Sequence, residues 1–429
     1  MDRGLRRVSL ALVAAVVVAE AAVLLLRPRS GIIDPAQVSV TSYFSRAQID
    51  RARDFRRPNL ALFALSLGVE AGVLVLVLRR PPRFVRAPDR PLLRAAAAGA
   101  ALTAALSVAG LPIGAVLRQR SVDVGLTTQS WGGWAVDQVK ALGIGAALSA
   151  GGGLLFVALV RRMPRWWWAA ASGAVVVLGA AFLFAGPVLL DPVFNKFTPL
   201  HEGRTRATVL ELAHKAGVKV GQVYEVDASR RTTAANAYVT GLGATKRVVI
   251  YDTLLKDFSP EEVDLVVAHE LGHVHYSDVP RSLLFLLVVA PVSLYAAKQL
   301  IEAWLPDPAA RRTALVVPAG ALALGIVSFG VSTVSNQLSR AIEARADTYA
   351  LQLTHAPDPF IGFERRITVQ NVADPDPPGW LTFLIATHPP TVERIGAGVA
   401  FQRGEGAGLT DRPRAAPGPD LAPRTPEGS

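Results

Sequence analysis

Seven stretches of roughly 18 residues or more carry almost no charge: 8–26, 59–78, 92–117, 141–160, 167–190, 282–304 and 313–335. A helix rises ~1.5 Å per residue, so each stretch is long enough to cross an apolar layer about 30 Å thick. The pattern differs between the fifth and sixth stretches. There Arg204–Ala216 has helical spacing through Val209, Leu210, Leu212 and Ala213. Val218–Val226 and Lys246–Tyr251 alternate as strands do, with Ala235–Thr240 a shorter strand candidate. Gly241-Leu242-Gly243 supplies a turn between two of them. The expected architecture is mainly α, a polytopic seven-helix membrane protein with an inserted α+β unit. Residues 1–190 hold five spans, 191–281 the insert, 282–335 spans six and seven, and 336–402 a second soluble part. Residues 403–429 are rich in proline and glycine and lack large apolar side chains to bury, which predicts a disordered tail.

Composition agrees with a membrane protein. The 429 residues are 51% hydrophobic and 18% charged, against ~25% charged in soluble domains. The chain contains no cysteine, which removes disulfides, thiolate metal sites and cysteine nucleophiles together. Its net charge of +11 is carried mostly by arginines that flank the apolar stretches. The lipid bilayer is therefore the expected partner, and nucleic acid is not. Arginine counts on alternate sides nearly balance, so charge bias alone sets no orientation. Arg3, Arg6 and Arg7 before the first run resemble the start of a signal peptide. The run is long and ends in Arg27-Pro28-Arg29 with no small-residue cleavage site, so it reads as a retained anchor. Glu20 and Glu70 each interrupt a span. Glu70 falls near the middle of its own, where an ionised side chain costs ~2.5–3.5 kcal/mol, and it suits either a hydrogen-bonded bundle or a hydrated chamber.

The candidate chemistry begins at Ser259-Pro260-Glu261-Glu262, a serine cap with proline next and glutamate three residues on, which predicts a helix start. That helix carries His269-Glu270-Leu271-Gly272-His273. Histidines four apart share one helix face and can hold one tetrahedral ion, with Glu270 placed to take a proton from water. Val266, Val267, Leu271 and Val274 around the motif speak against a generic polar face. A third protein ligand is needed. Glu343 is the strong candidate, with Asp347 four residues on and on the same helical face. Spacing alone equally allows Glu343 to pair with Arg340 on an ordinary charged helix. His275 points off the ligand face, and His201, His214 and His355 have no supporting context.

These residues, within six matching stretches, resemble the integral-membrane zinc metallopeptidases of the type I CAAX prenyl protease family, and more distantly HtpX-like bacterial proteases. The stretches are Asp191–Leu200, Asn236–Gly243, Lys246–Leu254, His269–His273 with Asp278, Ser339–Asp347, and His388-Pro389-Pro390-Thr391-Val392-Glu393-Arg394-Ile395. The resemblance implies a zincin (gluzincin-like) domain with one Zn2+ per chain, held by His269, His273 and Glu343 and supported by Asp347. It implies Glu270 as general base and His388 as donor to the developing oxyanion. It also implies a substrate strand laid along Asn236, Ala237 and Tyr238, with Arg394 reaching substrate. Without the family, His388 reads as a loop histidine before a proline turn. The implied activity is metalloendopeptidase cleavage of a peptide or membrane-protein substrate. The arginine-heavy, lysine-poor composition points to a bacterial source and so to a bacterial plasma membrane; the resemblance implies that the catalytic domain lies at its cytoplasmic side. Membrane-protein quality control of the HtpX kind and a zincin-type signalling receptor are the alternatives. A receptor would need a sensor domain outside the membrane, and the sequence offers no second soluble domain of that size. Neither the natural substrate nor the oligomeric state is legible.

Overall fold

The seven charge-poor stretches fold as seven long helices in a computed structural model that describes residues 3–241 and 246–405. In chain order, α1 (Arg3–Leu26) leads through a connecting segment with the single turn α2 (Val40–Tyr43) to α3 (Arg46–Arg79). The turn α4 (Arg83–Arg86) precedes α5 (Pro91–Asp123), α6 (Trp131–Arg162) and α7 (Trp167–Leu189). The insert holds α8 (Asp191–Phe194), β1 (Phe197–Pro199), α9 (Arg204–Lys215), β2 (Gln222–Val226), β3 (Ala237–Thr240), β4 (Arg247–Tyr251), α10 (Asp252–Asp257) and α11 (Pro260–His275). Then come α12 (Asp278–Trp304), α13 (Val316–Thr354), α14 (Pro357–Gln370), α15 (Gly379–Ile385) and α16 (Thr391–Gln402). The turn expected at Gly241–Gly243 lies outside the described residues beyond Gly241. So does the expected disordered tail beyond residue 405.

Two helices outrun their apolar stretches. α3 begins at Arg46 because Ser45 and Gln48 form a reciprocal cap, each side chain accepting the other's backbone N–H. α13 has 39 residues, about 58 Å at ~1.5 Å per residue. It runs straight through residue 335, where the sequence reading divided span seven from the second soluble part. The stretch Asn336–Asp347 contains no helix breaker, so one rod carries the membrane pattern at one end and Glu343 and Asp347 toward the other.

Chain alternation gathers the connections at the two ends of the bundle. At one end Arg161 Nη1 donates to the Arg312 carbonyl at 3.1 Å, tying the α6–α7 and α12–α13 connections. At the other, the α5–α6 connection joins the insert, where Thr128 N–H donates to Arg231 O and Thr233 N–H to Leu126 O, both at 3.1 Å. The segment after α1 belongs to this soluble end as well. Ile33 is buried against Leu265, Ala268, Ala350, Leu351 and Phe360, and its N–H donates to Thr348 Oγ1 at 3.0 Å. No local pattern marks this segment, because its contacts lie hundreds of residues away.

Helices α5 and α6 approach closely through Gly99, where a Cβ would run into the Ser149 carbonyl oxygen. Gly99→Ala should therefore destabilise the protein by about 1–3 kcal/mol, the collision outweighing a helix-propensity gain of ~1 kcal/mol. A thermal melt in detergent checks this, and an unchanged or raised Tm would refute the close packing.

The four-stranded sheet has the order β1-β2-β4-β3, with β2 and β4 parallel and the other two pairs antiparallel. One face packs Val223, Val248 and Ile250 against Val209 and Leu212 of α9 and Val263, Val267 and Leu271 of α11. β1 was not foreseen; its Phe-Thr-Pro is too short for an alternation signal. β3 lies at the sheet edge beside α11, and its outer hydrogen-bonding side determines what the site can hold.

Candidate metal centre

The α11 helix starts where the capping residues fix it. Ser259 Oγ accepts the Glu262 N–H at 3.3 Å, and Glu262 Oε2 accepts the Ser259 N–H at 2.8 Å. With Val263, Val267 and Leu271 committed to the sheet core, His269 and His273 turn toward α13. Gly272 lets α13 come close: a Cβ there would lie 3.2 Å from Tyr349 and 3.4 Å from the Ala346 backbone. This approach brings Glu343 to the two histidines.

His269 Nδ1 faces Asp347 Oδ1 at 2.9 Å, and His273 Nδ1 faces Asp278 Oδ2 at 3.0 Å. Each carboxylate accepts from its ring, which places the ring proton on Nδ1 and leaves a lone pair on Nε2. The two Nε2 atoms lie 3.1 Å apart. Two acceptors at that distance repel unless a cation lies between them. Glu343 completes the group, with Oε2 3.2 Å from His269 Nε2 and Oε1 3.7 Å from His273 Nε2. Its Oε2 is buried and has no hydrogen-bond donor. Two ligands ~2.0–2.1 Å from a tetrahedral ion stand roughly 3.3 Å apart, so the spacing suits a small divalent metal. Two imidazoles and a carboxylate are also donors that zinc accepts. Among the described residues these three form the group with ligand atoms all within 4.8 Å of one another.

Each histidine of the group is braced from behind. Asp347 receives Arg394 Nε at 2.7 Å on Oδ2 and Nη2 at 2.5 Å on Oδ1. Asp278 receives Arg345 Nη2 at 2.5 Å and a further bond from Arg281 Nη1. Arg345 lies over the Tyr276 ring, 4.0 Å from its centroid. The sequence reading gave no role to Asp278, Arg345 or Arg281. The available signal was the placement of Asp278 five residues beyond His273 and of Arg345 between Glu343 and Asp347. Asp278→Asn should lower metal affinity about 10–100-fold, read by chelator competition; unchanged affinity would deny the brace a function.

Burial disfavours a charged His269, but its bond to Asp347 and the carboxylate charges of Asp347 and Glu343 outweigh this and lift its pKa to about 10, so without a cation the Nε2 lone pair takes up a proton. A proton therefore competes with a cation here, and metal affinity should fall as pH drops. Burial likewise pushes the Glu270 carboxyl up, while the charges of His269 and His273 and the Val239 N–H draw it back.

Glu270, Asn236, Val266, Phe363, His388 and Arg394 line a cavity of about 150 Å³ beside His269. Asn236 closes the end of β3: its Oδ1 accepts the Ala237 N–H at 2.9 Å, and its carbonyl accepts the Tyr251 N–H at 3.0 Å. By the alternation of an antiparallel pair, Asn236 and Tyr238 bond inward to β4, whereas Ala237 and Val239 turn their backbone groups outward. The Tyr238 hydroxyl donates to Asp191 at 3.0 Å and so faces away from the metal group. Burial and Asp191 hold that hydroxyl protonated. His388 Nε2 reaches to 3.3 Å from Glu343 Oε2, and its Nδ1 faces Thr387 Oγ1 at 3.0 Å. It is the most exposed member of the group, its side chain 60% accessible. Arg394 lines the cavity too, but its guanidinium is occupied by Asp347 and by Glu364, whose Oε1 lies 2.9 Å from Nη1. His275 turns away and stacks on Tyr349.

The helical bundle and this group of ligands define a membrane-embedded metallohydrolase whose catalytic helix carries His-Glu-x-x-His. Comparison with known proteins agrees. The Peptidase family M48 profile matches residues 199–398, and the profile of the CAAX prenyl protease N-terminal region, described as five membrane helices, matches 83–196. "Uncharacterized metalloprotease YhfN" of Bacillus subtilis is 31% identical over 291 residues, 66% of this chain and 68% of that protein. The chain belongs to Peptidase family M48 and is a metalloprotease. "Probable CAAX prenyl protease 1" of Schizosaccharomyces pombe is 32% identical over 278 residues, 61% of this chain and 56% of the yeast protein. With the rice homologue at 51%, the chain spans little more than half the length of such relatives. The crystal structure of S. mikatae Ste24p shares the fold, with a TM-score of 0.71 and 18% identity over 92% of this chain and 99% of that one. The match from residue 83 carries the likeness into membrane helices that precede the first matching stretch, Asp191–Leu200.

Proposed function

We propose that the chain is a zinc endopeptidase, with one Zn2+ per chain held by His269, His273 and Glu343. One observation carries this: two Nε2 lone pairs face each other at 3.1 Å beside a buried, donor-less Glu343 oxygen. The cation supplies Lewis-acid chemistry, acidifying water and polarising a carbonyl. Glu270 takes the proton of the attacking water and passes it to the leaving amine; its raised pKa suits a group that must both accept and return a proton. The substrate backbone lies along the outer edge of β3, where Ala237 and Val239 turn their carbonyls outward; their N–H groups are held by Asn236 Oδ1 and by the Glu270 carboxyl. His388, beside Glu343 and open to the cavity, donates to the developing oxyanion. Arg394 acts by fixing Asp347 and so takes a positioning role in place of the substrate contact implied by the family.

We further infer a bacterial plasma membrane with the catalytic end at the cytoplasmic side, supported by the arginine-rich, lysine-poor composition, the Bacillus relative and the family resemblance. Peptides, including unfolded segments of membrane proteins, are the substrate class. The prenylated substrates named for the yeast relatives remain theirs.

Cleavage of an unstructured fluorogenic peptide in detergent tests the activity. It should stop on treatment with a zinc chelator and return with added Zn2+. Cleavage untouched by complete metal removal would end the proposal. Within that assay His388→Ala should lower kcat by roughly 10²–10³ with zinc retained. Loss of zinc in that variant would make His388 a ligand or a prop.

A further inference from the structure

We propose that Glu364 is a positioning residue for the metal centre, acting through Arg394 to keep Asp347 bound to His269. This rests on the proposed metal site, and the geometry behind it belongs to the chain itself. Glu364 is 1% exposed, on an α14 helix whose Phe360 and Phe363 are also buried. A carboxylate so deeply enclosed is unfavourable unless paired. Its partner is Arg394 Nη1, 2.9 Å from Oε1. That oxygen makes no well-aligned hydrogen bond; burial pushes the carboxyl up to about 7, and the Arg394 charge pulls it back toward the ionised form.

The reason for placing a second carboxylate here lies in the competition at Asp347. Asp347 Oδ1 accepts both from His269 Nδ1, at 2.9 Å, and from Arg394 Nη2, at 2.5 Å. The guanidinium charge draws electron density from Asp347 and weakens its hold on the imidazole proton. A less basic carboxylate makes His269 a less basic ligand. Glu364 sits on the far side of the same guanidinium and offsets its charge. It also occupies Nη1, which keeps the fork of Nε and Nη2 square on Asp347. The chain Glu364–Arg394–Asp347–His269 therefore runs from α14 through α16 and α13 to α11. On the other histidine, Asp278 meets two arginines, Arg345 and Arg281, within the same bracing scheme.

The test uses the full chain in detergent. Glu364→Gln keeps shape and removes charge. It should lower Zn2+ affinity about tenfold by chelator competition and alter the visible spectrum of the Co2+-loaded protein. Breaking the pair lowers Tm in the metal-free chain too, and the metal-loaded chain should lose more. Glu364→Asp, which keeps the charge on a shorter arm, should recover part of the affinity, and serves as the probe if Glu364→Gln does not accumulate. Because the effect passes through Arg394, Glu364→Gln combined with Arg394→Gln should bind zinc as weakly as Arg394→Gln alone. Wild-type affinity in Glu364→Gln, or additive losses in the double variant, would overturn the proposal. So would a metal-free chain destabilised as much as the loaded one, which marks an ordinary structural ion pair. If the wild type itself bound no metal, the metal site would fail instead, and the two failures are distinguishable.

Discussion

Glu270→Gln is expected to keep about one zinc per chain and to lose turnover by at least the ~10²–10⁴ that follows removal of a general base. The substitution keeps size and most hydrogen bonding, and Glu270 is not among the three residues whose donor atoms converge. Its carboxylate lines the cavity beside His269 and Asn236, within the space a scissile peptide would enter. An amide there can still accept a bond from the Val239 N–H but cannot hold a proton and return it. Cleavage of a fluorogenic peptide, measured with metal content on the same preparation, gives the answer. Normal cleavage by this variant would mean that the chemistry is not that of a water-activating metallopeptidase.

Glu343→Ala should show the opposite split, with metal lost first and activity falling because of it. The wild-type group gathers two imidazoles and one carboxylate. Removing the carboxylate takes away the only charged ligand and leaves two histidines to hold a divalent cation. Mild chelation that the wild type survives should therefore strip the variant, as elemental analysis would show. If Glu343→Ala keeps zinc as tightly as wild type, the third ligand lies elsewhere. Asp347→Asn should fall between the two, with affinity weakened about 10–100-fold, because it alters a ligand's orientation and leaves the ligand in place.

The parts of the molecule legible in sequence were those written in local pattern. Runs such as 59–78 and 313–335 announce helices because length and absence of charge suffice. Ser259 to Glu262 announces a helix start because the cap is a contact between near neighbours. His269 and His273 are legible for the same reason, since one helix turn sets their separation. Glu343 was not settled by spacing. Its meaning depends on Gly272 letting α13 close on α11, a contact between segments some seventy residues apart in the chain. The same holds for Glu364 and for Ile33, whose roles exist only after folding. Helix ends were misjudged where polarity and helicity part company, as at Arg46–Pro58, a polar stretch that remains helical because Ser45 caps it. Only the family resemblance implied Arg394 on substrate; nothing in its spacing pointed to a partner. The fold surrounds it with Asp347 and Glu364, and these occupy it first.

The central claim, that His269, His273 and Glu343 together hold zinc, is tested most directly by X-ray absorption at the zinc edge of the wild-type protein purified in mild detergent. The account predicts a nitrogen and oxygen shell at ~2.0–2.2 Å, with outer scattering from two imidazoles and no sulfur, the chain having no cysteine. The imidazole signal should halve in a His273→Ala sample that retains any metal. A preparation without zinc, or a shell of oxygens with no imidazole scattering, would contradict it.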